Sequence, residues 1–193
     1  IILIFSIVLS AFNAFAQTGN WPLKPITLVV PFAAGGSTDI TARMLAEKLT
    51  VVLGQSVVVD NKAGAAGNIA GAYVSRAAPD GYTIMLNTST MTANVTLYKD
   101  MGFNPQKDLT PVSQIALIPN VLMVNSDFQA KTLDKFIEIA KDKKIQINYG
   151  SSGAGASNHL AGVLFNKMTS GEMVHVPYKG GSLANNDLMG GQI

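Results

Sequence analysis

Ile26-Thr27-Leu28-Val29-Val30-Pro31-Phe32-Ala33-Ala34-Gly35-Gly36-Ser37-Thr38-Asp39 is the stretch that decides the fold. The apolar and β-branched start predicts a strand and the paired glycines a turn. A helical pattern then begins near Ile40, with Leu45, Leu49 and Val52 at helical spacing and Gly54 placed to end it. Glycine lets a backbone approach a ligand closely, and the first turn of a helix offers unpaired N–H groups with partial positive charge. A strand, turn and helix of this kind make a seat for an anion, most simply a carboxylate. A second block follows the same plan: Ile145-Gln146-Ile147-Asn148-Tyr149 runs into Gly150-Ser151-Ser152-Gly153-Ala154-Gly155-Ala156-Ser157-Asn158-His159 and another apolar helix. Two such loops predict two jaws.

Between the blocks, Val57-Val58-Val59 shows no alternation and predicts a strand covered on both faces of a parallel sheet. A helix starting near Asn68 carries Ile69, Tyr73 and Val74 and stops before the turn Pro79-Asp80-Gly81, which feeds a strand over 82–86. Strand, helix, strand, helix, strand in this order indicates right-handed βαβ units, hence an α/β fold with doubly wound sheets whose ligands gather at the carboxyl ends of the strands.

The pattern breaks between Phe103 and Pro111, and 112–118 alternates as a half-exposed strand would. The expected division is a first lobe over 17–111, a crossover at 112–120 and a second lobe over 121–193. The second lobe opens on Val121-Leu122-Met123-Val124. A helix from Thr132 should place Leu133, Phe136, Ile137 and Ala140 on one face. A strand over 145–149, a helix reaching about Met168, a strand over 173–176 and a helix from about Ser182 complete it. The lysines 141, 143 and 144 read as complements to a helix C-terminus rather than as a docking patch. The sequence stops after that last helix with no closing strand, so a C-terminal continuation returning to the first lobe is expected.

Residues 1–15 are almost wholly apolar and run into Ala14-Phe15-Ala16, a small-x-small cleavage pattern. Residues 1–16 thus read as an export signal, itself incomplete at its start, with a mature periplasmic chain from Gln17. The apolar run falls short of the ~20 residues a membrane span needs. A net charge of +2, with 13% charged and 7% aromatic residues, provides neither a basic stripe nor a stacking platform, which excludes nucleic acid as partner. Without cysteine there is no disulfide framework or thiolate metal site, and export to a bacterial periplasm is compatible with that.

Enzymatic and cofactor motifs fail one by one. Gly153-x-Gly155 meets Asn158 where a dinucleotide fingerprint needs a third glycine, and no Gly-Lys-Ser/Thr closes a phosphate loop. Gly150-Ser151-Ser152-Gly153-Ala154 has alanine where a nucleophile elbow ends in glycine. His159 and His175 lack metal-ligand spacing and an acidic partner. No cofactor, metal or catalytic set is expected. His159 either orients a ligand carboxylate or packs within its lobe. Asp39 either contacts ligand or complements the helix dipole, and as an anion it would oppose a carboxylate in the same seat unless water or a ligand amine intervened. Lys62 reads as a solvated turn lysine, while Tyr178 and Lys179 follow a strand and either border the cleft or form a plain turn.

Together the blocks Trp21-Pro22 to Pro25-Ile26, Val30 to Asp39, Val59-Asp60-Asn61-Lys62-Ala63-Gly64, Ala78-Pro79-Asp80-Gly81-Tyr82-Thr83, Tyr149 to His159 and Val176-Pro177-Tyr178-Lys179-Gly180 resemble the Bug-type extracytoplasmic solute receptors of tripartite tricarboxylate transporters. The resemblance implies a two-lobed, flytrap-like periplasmic binding protein, monomeric, that captures a small organic acid or amino acid and presents it to membrane permease subunits. It nominates Phe32, Ala33, Gly35, Gly36 and Asp39 on one jaw. On the other it nominates Ser151, Ser152, Gly153, Ala156, Ser157 and His159, with Asn87, Ser89 and Thr90 as the floor. A side chain on Gly36 is expected to crowd the carboxylate. Relatives carry more glycine where this chain has Ala65-Ala66. Two other roles fit the same cleft: a small exported α/β enzyme acting on carboxylates with His159 as base, and a periplasmic sensor subunit.

Overall fold

The computed structural model describes residues 21–193, so the expected export segment lies outside the described residues. The chain runs β1 (Ile26–Val30), α1 (Ser37–Leu53), β2 (Val57–Asn61), a 3-10 turn (Ala65–Gly67), α2 (Asn68–Ser75), β3 (Thr83–Met85), α3 (Thr90–Leu97), α4 (Pro105–Asp108), α5 (Leu133–Lys141), β4 (Asn148–Ser151), α6 (Ser157–Thr169), β5 (Val174–Pro177) and α7 (Gly181–Met189).

Ile26, Leu28, Val29 and Val30 are buried because β1 has a parallel neighbour on each edge, giving the order β2-β1-β3. The chain leaves β1 for one side and then crosses to the other, which makes the carboxyl ends of β1 and β3 a topological switch point. Helix α1 covers the sheet with Ala42 and Ala46, flanked by Leu45, Leu49 and Leu53. It ends at Gly54 in the left-handed conformation, with the glycine N–H bonded to Thr50 O at 3.1 Å.

Two expectations about apolar faces are corrected here. Val52 is 79% exposed because the stripe through 42, 46, 49 and 53 turns it outward, and Val58 is 54% exposed because Val57 and Val59 face α1 while nothing among the described residues covers the opposite face of β2 there. The valine run reflects strand preference and not double coverage. Likewise Ile69 and Tyr73 lie outward on α2, whose inner face is Ala70 and Gly71, with Phe103 and Met91 filling the space above Gly71.

The alternating stretch 112–118 forms no strand and is exposed throughout, as are 121–124. Alternation specifies two faces but not a partner, and among the described residues no strand pairs with it. Beyond it β4 and β5 pair in parallel, Asn148 opposite Val174 through Ser151 opposite Pro177. Strand β4 therefore starts three residues later than expected. The core beside this sheet is Ala130, Phe136, Ile139, Ala140 and Met173, with Phe128 tilted against Phe136 and Phe165 edge-on to it, each at 5.7 Å between centroids. Ile139 takes the inward place expected of Leu133, which is exposed.

Candidate carboxylate cleft

The turns after β1, β2, β4 and β5 converge. Phe32, Gly64, Ala65, Ala66, Tyr98, Ser152, Gly153, Ala154, Pro177, Tyr178 and Lys179 line a cavity of about 230 Å³ between the two sheets. That is smaller than the ~300 Å³ lower bound of drug-sized pockets and suits a small solute. The two sides touch directly. Ala33 N–H donates to Lys179 O at 3.0 Å, Ser182 Oγ donates to Ala34 O at 2.9 Å, and Tyr98 OH donates to Ala154 O at 3.3 Å.

Away from the cleft, α4 is capped by Asn104 and α5 by Thr132, each accepting first-turn N–H groups. Around it, α1, α2, α6 and α7 begin at Gly36, Gly67, Ala156 and Gly180, none with a capping side chain, and α3 likewise begins at Ser89 without one. Unpaired first-turn donors with partial positive charge are what an anion needs. Lys179 adds a full charge to the lining and makes no ion pair among the described residues.

The first jaw is held by Asp39. Its carboxylate, 2% exposed, accepts from Gly35 N–H at 2.9 Å, Arg43 Nε at 3.0 Å and Asn61 Nδ2 at 3.0 Å, and Asn61 also reaches Phe32 O at 3.0 Å. Burial pushes its pKa up, but the Arg43, Gly35 and Asn61 hydrogen bonds outweigh that and hold it below the ordinary carboxylate value. Asp39 therefore organises the turn from behind. Gly35 needs its φ of 81° there. A Cβ on Gly36 would meet Ala33 O at 3.7 Å and Ser182 N at 3.9 Å, ordinary contacts with the protein itself.

The second jaw has a comparable internal frame. Ser151 is fully buried, its Oγ bonded to Gly153 N and O at 3.1 Å each and 2.6 Å from His175 Nε2. The serine and histidine resemble a hydrolytic pair, but the hydroxyl is enclosed and His175 meets no carboxylate among the groups acting on it. Asn158 Oδ1 accepts from both Ser152 N and Ser152 Oγ, and Ser157 Oγ faces Asn120 Oδ1 at 3.3 Å. Ala156 is buried at the start of α6. His159 Nδ1 accepts from Gly155 N–H at 3.0 Å.

Of the residues nominated from sequence, Phe32, Ser152 and Gly153 line the cavity, and Ala33, Gly35, Gly36, Asp39, Ser151, Ala156, Ser157 and His159 build or border the loops around it. Asn87, Ser89 and Thr90 follow β3 outside the lining: the Asn87 side chain serves Thr88 N–H and Met91 Sδ, and Thr90 is buried. Sequence reasoning left out Ala65, Ala66, Tyr98 and Ala154 and stopped short of choosing Tyr178 and Lys179. The Gly64-x-x-Gly67 spacing could have flagged the alanine turn, whereas nothing local marks Tyr98. Tyr178 contributes its ring, because its hydroxyl donates to Asp187 Oδ2 at 2.5 Å.

A family model described as the tripartite tricarboxylate transporter family receptor, TctC, matches residues 41–193. The chain belongs to that family. BugT of Bordetella pertussis is 36% identical to this TctC chain over 176 residues, 90% of the chain and 54% of BugT. Rpa4515 of R. palustris, solved with adipate, is 41% identical with a TM-score of 0.86, the match covering 90% of this chain and 58% of Rpa4515. MatC of Rhodopseudomonas palustris, solved with bound malate, is 32% identical with a TM-score of 0.83 over 90% of this chain and 59% of MatC. The TctC chain spans about half the length of the curated relatives it matches. Among the described residues, no helix is long and apolar enough to cross a membrane.

Proposed function

We propose that this TctC-family protein is a periplasmic receptor that traps a small dicarboxylate between its two jaws and hands it to the membrane permease of a tripartite tricarboxylate-type transporter. The observation that carries the reading is the ring of helix starts without capping side chains, joined by Lys179, around a cavity sized for a small acid. Adipate and malate in Rpa4515 and MatC supply the substrate class. Lobes over 17–111 and 121–193 joined by 112–120, an export signal over 1–16, and Phe32, Ser152, Gly153, Ala65, Ala66, Tyr98, Tyr178 and Lys179 as the contact set belong to the same reading. Binding proceeds without turnover: Ser151 is enclosed, and the His159 nitrogen that a base would use is occupied by Gly155 N–H.

The test is a thermal-shift titration against mono-, di- and tricarboxylates, with the acid recovered and assayed for chemical change. A diacid at about 100 times its dissociation constant stabilises the protein by about 2.7 kcal/mol and is recovered intact. No shift with any acid, or a consumed acid, rejects the receptor. Delivery is read by uptake of the same labelled acid in cells with and without the receptor gene.

A further inference from the structure

The second jaw is shaped from behind by two histidines that do not line the cavity. His159, in the first turn of α6, receives Gly155 N–H on Nδ1 at 3.0 Å, and His175 on β5 holds Ser151 Oγ through Nε2 at 2.6 Å. The rings stack with centroids 3.9 Å apart and planes 25° apart. Gly155 is also where this jaw meets the other side of the molecule: a Cβ there would stand 2.7 Å from Leu97 Cδ1 and 3.1 Å from Asn94 Oδ1 of α3.

An imidazole nitrogen that accepts an N–H carries no proton, so His159 is held as the neutral form with its proton on Nε2. Protonation would set an Nδ1–H against the Gly155 N–H, donor against donor. The His175 bond differs, because Ser151 Oγ can accept from Nε2–H while donating to Gly153 O. The weak point of the jaw is therefore the Gly155–His159 bond.

We propose that neutral His159 is the positioning residue of the second jaw, fixing Gly155 so that the jaw closes on its cargo, and that its protonation loosens the jaw and lowers affinity in acid. This rests on the receptor reading above. The surroundings favour a neutral pair. From β4, Tyr149 offers a neutral phenol whose OH reaches His159 O at 3.4 Å and whose ring lies 5.2 Å from His175; from α3 come the uncharged Asn94 and Leu97. On α7, Asp187 is taken by Tyr178, and ahead of β5, Glu172 is taken by Lys143. Burial lowers both imidazole pKa values, and repulsion between the stacked rings lowers that of His175 further.

The test follows the His159 ring and the Gly155 amide by NMR in the unliganded protein from pH 8 to 5, then adipate affinity by calorimetry over the same range. The expected result is an Nε2–H tautomer at neutral pH and a Gly155 protection factor that drops at least tenfold as His159 titrates. Adipate affinity falls below the ring pKa, by at most about tenfold per pH unit for a single linked proton. In His159→Asn, whose carbonyl oxygen can accept the same N–H without titrating, affinity is retained and that pH dependence disappears, leaving only adipate's own protonation. His159→Ala binds weakly at every pH. Gly155 protection indifferent to His159 titration, or His159→Asn following the wild-type pH profile, overturns the proposal. Should no acid bind at any pH while Gly155 still tracks His159, the anchor stands and the receptor reading is what fails.

Discussion

Asp39 shows how little of a site is decided by the residue that looks functional. A first-turn carboxylate beside two glycines invites a ligand role, yet its oxygens are committed to Gly35, Arg43 and Asn61. Asp39→Ala strips the turn of the buried carboxylate that these three donors bind and is expected to cost about 2 kcal/mol in denaturant titration. The sign with pH follows from its depressed pKa: the carboxylate's contribution is complete above the unfolded value near 3.9 and is lost as pH falls through the lower folded value. The wild type should therefore lose stability in that acid window where Asp39→Asn shows no matching loss. The partner Asn61 was not legible, because 22 positions separate it from Asp39 and only the pairing of Val30 with Asn61 brings the two together. Ala65 and Ala66 make a different case. Both adopt left-handed φ, 45° and 50°, and the turn is propped by Asn94 Nδ2 on Ala66 O at 3.0 Å. Relieving that strain in exposed Ala65 with Ala65→Gly should gain up to about 1 kcal/mol, seen as a melting point about 2–4 °C higher.

At the level of elements, strand–glycine–helix units were the readable part. β1 with α1, and β4 with α6, stand near where apolar run, turn and helical spacing put them, because each unit encodes its own boundaries. Faces were less readable: Val52, Val58 and Leu133 point outward since only the neighbours in space decide which side of an apolar element is covered. The stretch 112–118 failed for the same reason, as periodicity names no partner. Loop-to-loop contacts were invisible to local pattern, and they set the closed geometry. Gly180 makes one of these, where a Cβ would lie 3.0 Å from Ala33 N and 3.1 Å from Ala33 Cβ. Gly180→Val should wedge the jaws and weaken ligand binding at least tenfold, while far-UV circular dichroism stays that of the wild type. Undiminished affinity would show that this contact is not needed for closure.

At the scale of the whole molecule, the proposed receptor works because each jaw alone would present a few backbone donors, and shutting them together would exclude water and strengthen every remaining electrostatic contact. Such a device needs no acid, base or nucleophile, which agrees with the enclosed Ser151 and the occupied His159. On that proposal the family is legible from loop motifs while the cargo is not, because backbone N–H groups would read a carboxylate and little else. The charge on Lys179 is the exception. Lys179→Met should weaken diacid binding about tenfold or more with little change in melting point of the unliganded protein, because the side chain is exposed and without an ion-pair partner among the described residues. The central claim is tested most directly by isothermal calorimetry of the protein with adipate and malate, run beside Gly180→Val. A saturable one-to-one isotherm for at least one diacid, collapsed in the variant, is what the cleft predicts. Heats no larger than dilution for both acids, or binding that ignores the wedge, would contradict it.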